Sequence, residues 1–363
     1  MNKKFDHQAL FRFTQSVFEK IGLSRSEAQQ AADILITAEL RNVSTHGLMR
    51  LPEYINLWKT GRITVTPRFK IVRETLSTAL VDGGKGLGLV TGPKAMKLAI
   101  EKAKNAGSGW VAVRNTYHYG IAGYYAMMAL EHDMIGISMT NANPLVAPTF
   151  GLKGMLGTNP IAVAVPANKQ PPFVADFATA AVARGKLDVW EEQGRQAPEG
   201  VLQDKNGNIT TDPSALKKGG ALLTLGGEVE KGGHKGFCLT AIVDILTAVL
   251  SGANFGPTVV PTLGYVKDKT KTQDKGIGHF FGAFRIDAFQ SADEFKSYMD
   301  EWIETFRNAP SIPGHEKVII PGDPERTAEE KNRSNGILLS ENTYRKIKII
   351  ADEFNLPFPQ TKP

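Results

Sequence analysis

Apolar side chains recur every three or four positions along the first 60 residues, a spacing that predicts amphipathic helices. The first stripe consists of Leu10, Phe13, Val17, Phe18 and Ile21. Ser24 and Glu27 stand at the spacing of a capping box, so a second helix is expected to begin between them. Pro52 suits the first turn of a further helix that ends before Gly61. The chain is therefore predicted to open with a helical segment.

From about residue 70 onward, short apolar runs alternate with helical stretches. The runs predict strands at 79–82, 110–113, 135–139, 161–165, 173–175 and 279–286, and the stretches predict helices from Pro93, at 122–130, 181–190, 237–250, 292–308 and 341–354. The helix at 237–250 is so apolar that we expect it to be buried. Asn206-Gly207 predicts a hairpin turn. This alternation is typical of the α/β class.

Length and charge narrow the possible functions. A chain of 363 residues is too long for one ordinary core and predicts two domains, or one domain interrupted by another. The formal net charge of +6 raises the question of nucleic-acid binding. The basic residues are scattered, however, and the densest run, Lys267 to Lys275, contains Asp268 and Asp274. We therefore expect no nucleic-acid partner, and a modest positive field that suits an anionic metabolite and a dinucleotide.

The single cysteine, Cys238, cannot form an internal disulfide, which favours a reducing compartment. It lies in the apolar run at 237–243, so we expect a buried and inert thiol. The N-terminus has no apolar signal core, and the helix at 237–250 is too short to span a membrane and contains Asp244. A cytoplasmic protein without a membrane partner is the expectation.

Two glycine-rich segments invite a nucleotide-binding interpretation. The segment 83–88 follows a strand, but its spacing is not G-x-G-x-x-G, so a turn without a ligand explains it as well. The segment 232–236 lacks the Walker spacing but precedes a helix, where backbone N–H groups and Lys235 could bind an anion. The seven histidines show no metal-ligand spacing, and we expect no metal.

The segment Ser44 to Pro52 carries the most informative chemistry. If it is helical, His46 and Arg50 are four residues apart and share a face. An arginine can clamp a carboxylate with two hydrogen bonds, and a histidine can exchange a hydroxyl proton near neutral pH. His118 follows a predicted strand, where functional loops are common. Structural histidines and a surface arginine would give the same pattern.

Seven segments in order resemble the second malate/L-lactate dehydrogenase family, which is unrelated to the Rossmann-type malate and lactate dehydrogenases. They are 44–52, 114–123, 140–144, 157–160, 176–179, 233–236 and 313–316. The resemblance implies an α/β fold with a non-Rossmann, mixed-sheet cofactor domain at 121–289. It also implies a helical and α/β scaffold domain built from both chain ends, 1–120 with 290–363. A homodimer, with the active site near the subunit interface, is implied as well.

The resemblance also implies the site residues. The substrate and proton-transfer positions match His46, Arg50 and His118, and which histidine moves the proton stays open. Thr45 stands where the family often has serine. Lys235 is expected to hold the cofactor's phosphates or ribose. The cofactor positions match Thr140, Asn141, Gly157, Thr158, Asn159, Asp176, Phe177, Ala178, Lys235, Gly314, His315 and Glu316.

The stretch through His118 is closest to family members that act on malate. The resemblance therefore favours a dehydrogenase that transfers a hydride between NAD(H) and malate or oxaloacetate, with NADP left open. Other members act on lactate, sulfolactate, ureidoglycolate or diketogulonate, and these substrates are alternatives. A metabolite-binding protein that has lost catalysis is the alternative from another class.

Overall fold

The computed structural model describes residues 3–261 and 274–362, and most of the predicted basic run, at 267–271, lies outside them. The strands are β1 (Lys3–Phe5), β2 (Lys70–Glu74), β3 (Thr78–Gly86), β4 (Ser108–Thr116), β5 (Met134–Thr140), β6 (Ile161–Val165), β7 (Phe173–Phe177), β8 (Leu202–Gln203), β9 (Ala221–Leu222), β10 (Ile277–Arg285) and β11 (Ile337–Leu339). The helices are α1 (His7–Lys20), α2 (Arg25–Leu40), α3 (Leu51–Lys59), α4 (Gly88–Ala106), α5 (Ala122–Met127), α6 (Arg184–Glu192), α7 (Gly233–Asp244), α8 (Ala292–Arg307), α9 (Asp323–Asn335) and α10 (Glu341–Glu353).

The N-terminal helices form as the capping residue Ser24 and the helix-starting Pro52 predict. Ser24 caps α2, its hydroxyl accepting a hydrogen bond from the backbone N–H of Glu27. Pro52 lies in the first turn of α3, where its missing N–H costs no helical hydrogen bond. The Asn206-Gly207 turn also forms, and Gln203 bridges Ile209 across it.

A seven-stranded mixed sheet forms the centre of the molecule, in the order β2-β3-β4-β10-β5-β6-β7. Strands β3 and β4 are parallel, and every other neighbouring pair is antiparallel. This confirms the predicted α/β class with a mixed sheet. Central strand β10 pairs with both β4 and β5, and the side chain of Phe281 is fully buried there. Helix α4 packs against this part of the sheet.

Both chain ends meet in one core. Strand β1 pairs antiparallel with β11, and Phe5 stacks on Tyr344 of α10. This core continues through α1, α2 and α4 to the sheet. A second, smaller core lies within residues 145–222. The sheet takes strands from both sides of the boundary predicted at residue 120, and the domain boundaries stay a prediction.

The prediction of a buried helix at 237–250 is wrong. Helix α7 continues as a π-helical turn at Ile245–Val249, and this segment presents several apolar side chains to solvent. Cys238 is exposed as well, so the prediction of a buried thiol is also wrong. The apolar run correctly predicted a helix, but hydropathy alone does not say whether the helix is covered by its own chain. No helix of the described residues is long and apolar enough to cross a membrane.

Candidate active site

The segment from Ser44 to Arg50 consists of two short 3-10 turns, Ser44–His46 and Leu48–Arg50. Gly47 separates them with a non-helical backbone (φ −94°, ψ −137°), so the helical face predicted for His46 and Arg50 is wrong. The reason is Glu39 of α2. Its buried carboxylate accepts the N–H of Leu48 (2.7 Å), and a Cβ at residue 47 would collide with it.

His46 and His118 nevertheless come together. Their rings stack with centroids 5.5 Å apart and an angle of 18° between the planes. His118 follows β4, and its Nδ1 lies 2.6 Å from the hydroxyl of Tyr54 on α3. The N–H of Gly120 also donates to Nδ1, at 3.3 Å. Two donors at Nδ1 leave the proton of the neutral ring on Nε2.

Both histidine rings are neutral at physiological pH. Burial, and then the positive charge of Arg50, lower the pKa of His118 to about 3. The same two causes, in the same order, hold the pKa of His46 well below its usual range. The Nδ1 atom of His46 lies 3.0 Å from the hydroxyl of Thr45. Each ring therefore has a hydroxyl partner on Nδ1.

Arg50 is held by its neighbours in a fixed orientation. Its Nε donates to the carbonyl oxygen of Thr45 (2.7 Å), and its Nη1 donates to Glu53 (3.0 Å). Its side chain is nearly buried but reaches the same cavity as both histidines. An arginine fixed in this way can present its planar guanidinium to a carboxylate without losing further side-chain entropy.

The cavity has a volume of about 360 Å³ and contains seven of the predicted site residues. They are His46, Arg50, His118, Thr158, Asp176, Phe177 and Ala178. Asp176 accepts the N–H of Gly123 (2.7 Å). Other charged residues in the wall are Arg41, Glu53, Arg184, Lys186 and Glu325. This volume suits a small ligand together with the reactive part of a cofactor.

Four other predicted residues lie inside the protein behind the cavity wall. The Asn141 side chain donates to the carbonyl oxygen of Asn254 and accepts the N–H of Gly278. The Asn159 side chain accepts the N–H of Ala142, which lines the cavity. Thr140 bonds to Gly278, and Gly157 lies against Ala142, where a Cβ would not fit. These residues shape the wall rather than face the cavity.

The last four predicted residues are not among those that line the cavity. Lys235 is exposed in the first turn of α7. Gly314, His315 and Glu316 are exposed in the loop between α8 and α9. The structure does not bring these residues to the histidines, and their contact with a cofactor stays a prediction. Among the described residues, no three His, Cys, Asp or Glu side chains gather at a metal-binding distance.

Sequence reasoning missed Tyr54 and Arg184. Tyr54 lies on α3, and its functional contact is with His118, 64 residues further along the chain, so no local spacing indicates it. Arg184, the first residue of α6, carries no local signal either, because only the fold brings it to the cavity.

The fold and sequence have close counterparts. A family model described as malate/L-lactate dehydrogenase matches residues 5–348. The chain is 45% identical over 347 residues to malate dehydrogenase of Pyrococcus abyssi, covering 95% of this chain and 91% of that one. It is 40% identical to L-sulfolactate dehydrogenase of Methanocaldococcus jannaschii, covering 94% of each. The structure of malate dehydrogenase from Entamoeba histolytica superposes with a TM-score of 0.93 at 35% identity, covering 99% of this chain and 100% of that one.

The mixed-sheet fold and its histidine-lined, cationic cavity define an α/β dehydrogenase of the non-Rossmann type. The chain belongs to the malate/L-lactate dehydrogenase family, which confirms the resemblance seen in the sequence.

The Tyr54 contact predicts the tautomer of His118. Imidazole NMR should find the His118 ring neutral between about pH 8 and pH 5, with its proton on Nε2, because its pKa lies far below this range. Tyr54→Phe removes one donor to Nδ1 and should raise the fraction of the Nδ1–H tautomer. Tyr298→Phe, at an exposed tyrosine of α8, is the control. A charged His118 ring at pH 7, or a tautomer population that ignores Tyr54→Phe, would contradict this assignment.

Proposed function

We propose that this dehydrogenase is an NAD-dependent malate dehydrogenase of the cytoplasm, which moves a hydride between NAD(H) and C2 of malate or oxaloacetate. The observation that carries the proposal is the stacked pair His46 and His118, 5.5 Å apart, in a cavity shared with Arg50. A 2-hydroxy acid needs a cation for its carboxylate and a proton-transfer group for its hydroxyl. Malate dehydrogenases among the relatives support the choice of substrate.

Arg50 binds the C1 carboxylate of the substrate. Its Nε and Nη1 are occupied within the protein, and its remaining amine forms no hydrogen bond with the described residues. That amine would bind the carboxylate, and the fixed guanidinium would set the position of C2 beside the imidazoles. Binding an anion here also offsets the positive charge that lowers the pKa of both histidines. Substrate binding therefore favours uptake of a proton by the pair.

A histidine that takes the substrate's hydroxyl proton at Nε2 must carry its own proton on Nδ1 while it is neutral. The hydroxyl of Thr45 can accept that Nδ1–H from His46. The Nδ1 of His118 instead accepts the N–H of Gly120, so its Nε2–H can donate a hydrogen bond to the substrate oxygen. Alanine variants of both histidines distinguish these roles.

The cavity wall also offers groups suited to a nicotinamide cofactor, which when bound would supply or accept the hydride. Thr158, Asp176, Phe177 and Ala178 would hold it there. The Asp176 carboxylate uses one oxygen for Gly123, and carboxylate oxygens commonly accept ribose hydroxyls. Lys235 and the loop at 314–316 would contact more distant parts of the dinucleotide. In this proposal 121–289 is the cofactor domain and the two chain ends, 1–120 with 290–363, form the scaffold.

A panel of 2-oxo acids with NADH and NADPH tests the function. We expect oxaloacetate with NADH to have a higher kcat/KM than pyruvate, 2-oxoglutarate or sulfopyruvate. A higher kcat/KM for another acid would mean that this acid is the substrate instead of oxaloacetate, and the dehydrogenase class would stand. A higher kcat/KM with NADPH than with NADH would mean that NADP is the cofactor. Cofactor binding without turnover of any 2-oxo acid would favour a metabolite-binding protein and overturn the proposal.

Variants of the cavity test the assigned roles. Alanine in place of the histidine that carries the proton should lower kcat roughly 100- to 10,000-fold. Alanine in place of the other should raise KM more than it lowers kcat. Arg50→Lys keeps the charge but loses the planar fork, so it should reduce turnover while NADH binding is unchanged. His132→Ala, at an exposed histidine, is the control. Near-normal kinetics in both histidine variants would exclude this site.

We also propose that the apolar stripe of α7 and its π-helical turn is the homodimer interface. Its members Ile242, Ile245 and Val249 are 48%, 53% and 57% exposed. They follow one another at spacings of three and four residues and so share one helix face. Leu225 lies against α7 at Gly236 and is exposed too. An exposed apolar surface of this kind is typical of a subunit contact, and α7 carries Lys235 in its first turn.

Ile245→Glu should convert a dimer into a monomer, because it places a charge in the middle of the stripe. Light scattering during size-exclusion chromatography measures the mass directly. Ile349→Glu is the matched control, since Ile349 is equally apolar, 64% exposed and located on α10. A monomeric wild type, or an Ile245→Glu variant that stays dimeric, would refute this interface.

A further inference from the structure

A second arginine, Arg184, lies in the wall of the catalytic cavity. Its side chain is 13% exposed, and its Nη1 pairs with Asp188 one helical turn further along α6 (2.9 Å). Its positive charge contributes to the low pKa of both His46 and His118. Arg184 therefore acts electrostatically on the same small volume as Arg50.

A close contact fixes the start of α6 against the histidine segment. A Cβ at Gly185 would lie 2.7 Å from Cγ2 of Thr45, so only glycine permits this approach. Thr45 is the residue before His46 and also holds Arg50 through its carbonyl oxygen. The packing of Gly185 on Thr45 thus couples the position of Arg184 to the positions of His46 and Arg50.

The charge arrangement indicates what Arg184 is for. Arg50 and Arg184 both disfavour the protonated imidazole that the proposed reaction needs. Glu53 pairs with Arg50 and Asp188 pairs with Arg184, yet both arginines still lower the pKa of the rings. A substrate with an anionic group at each arginine would offset the remaining positive charge at both places.

We infer that Arg184 binds the distal anionic group of the substrate, so that the enzyme selects short 2-oxo acids with a second acidic group on C3. The class includes a carboxylate or a sulfonate at this position, and it excludes acids that end in a methyl group. This inference rests on the proposed function, because it assumes that Arg50 takes the C1 carboxylate. In this arrangement Arg184 is a specificity-determining residue, and the proton transfer belongs to the histidines.

Comparison of oxaloacetate with pyruvate isolates the distal group, because pyruvate lacks only that carboxylate. Arg184→Met should lower kcat/KM for oxaloacetate roughly 10- to 100-fold, the effect of losing a hydrogen bond to a charged group. The loss should fall mainly on KM, and kcat/KM for pyruvate should stay within about threefold. Arg184→Lys, which keeps the charge, should recover part of the loss.

Lys186→Met is the matched control, because Lys186 lines the same cavity two residues further along α6. It removes the same charge and should leave the ratio of oxaloacetate to pyruvate activity within about threefold. Equal losses for both substrates in Arg184→Met and Arg184→Lys, or an equal change of the ratio in Lys186→Met, would overturn the inference. If the wild type turned over neither acid, the proposed function would fail instead. NADH titration and thermal melts confirm that each variant is folded.

Discussion

The carboxylate of Glu39 is the contact on which the catalytic segment depends. It is buried beneath residues 44–50, and burial raises its pKa to about 7. It accepts the N–H of Leu48 and occupies the space where any side chain at Gly47 would lie. The segment must therefore bend at Gly47 instead of continuing as a helix. This bend turns His46 toward His118 while Arg50 remains anchored at the start of α3.

The two imidazoles show how the protein keeps proton-transfer groups neutral when no substrate is bound. Burial penalises a charged ring, and two nearby arginines penalise it further. Glu53 and Asp188 pair with these arginines but leave a positive field on the rings, which an anionic ligand would offset further. Substrate recognition and protonation are consequently coupled, because the anion that binds Arg50 also makes the imidazolium more stable. The hydroxyl of Thr45 can accept an Nδ1–H of His46, whereas the backbone N–H of Gly120 at Nδ1 of His118 opposes a charged ring there.

The sequence predicted those features that depend on local pattern. The capping box at Ser24, six of the seven strands of the sheet and the hairpin at Asn206-Gly207 are set by residues close in the chain. Helix α9 was not predicted, because it buries only Ala328 and so has no apolar stripe. Edge strand β2 was missed for a similar reason, since all five of its residues are exposed.

The site residues likewise divide into those that a local motif predicted and those that only the fold brings together. His46, Arg50 and His118 were predicted because they stand in motifs, although the assumed helix between the first two is broken at Gly47. The contact of Tyr54 with His118 spans 64 residues, and no local pattern encodes it. The exposure of α7 could not be predicted either. An apolar helix has the same sequence whether its own core or another subunit covers it.

Placement of the site at the rim of the core explains how one fold can serve different acids. His46, His118 and Arg184 are outside the buried apolar core and are positioned by hydrogen bonds, ion pairs and one glycine contact. The core itself joins the sheet to both chain ends and does not depend on these side chains. The solved structures of a sulfolactate dehydrogenase and of a malate dehydrogenase share this fold, with TM-scores of 0.88 and 0.93 at 37% and 35% identity. Substitutions at the rim can therefore change which anion is bound while the sheet, and with it the spacing of the catalytic pair, is preserved.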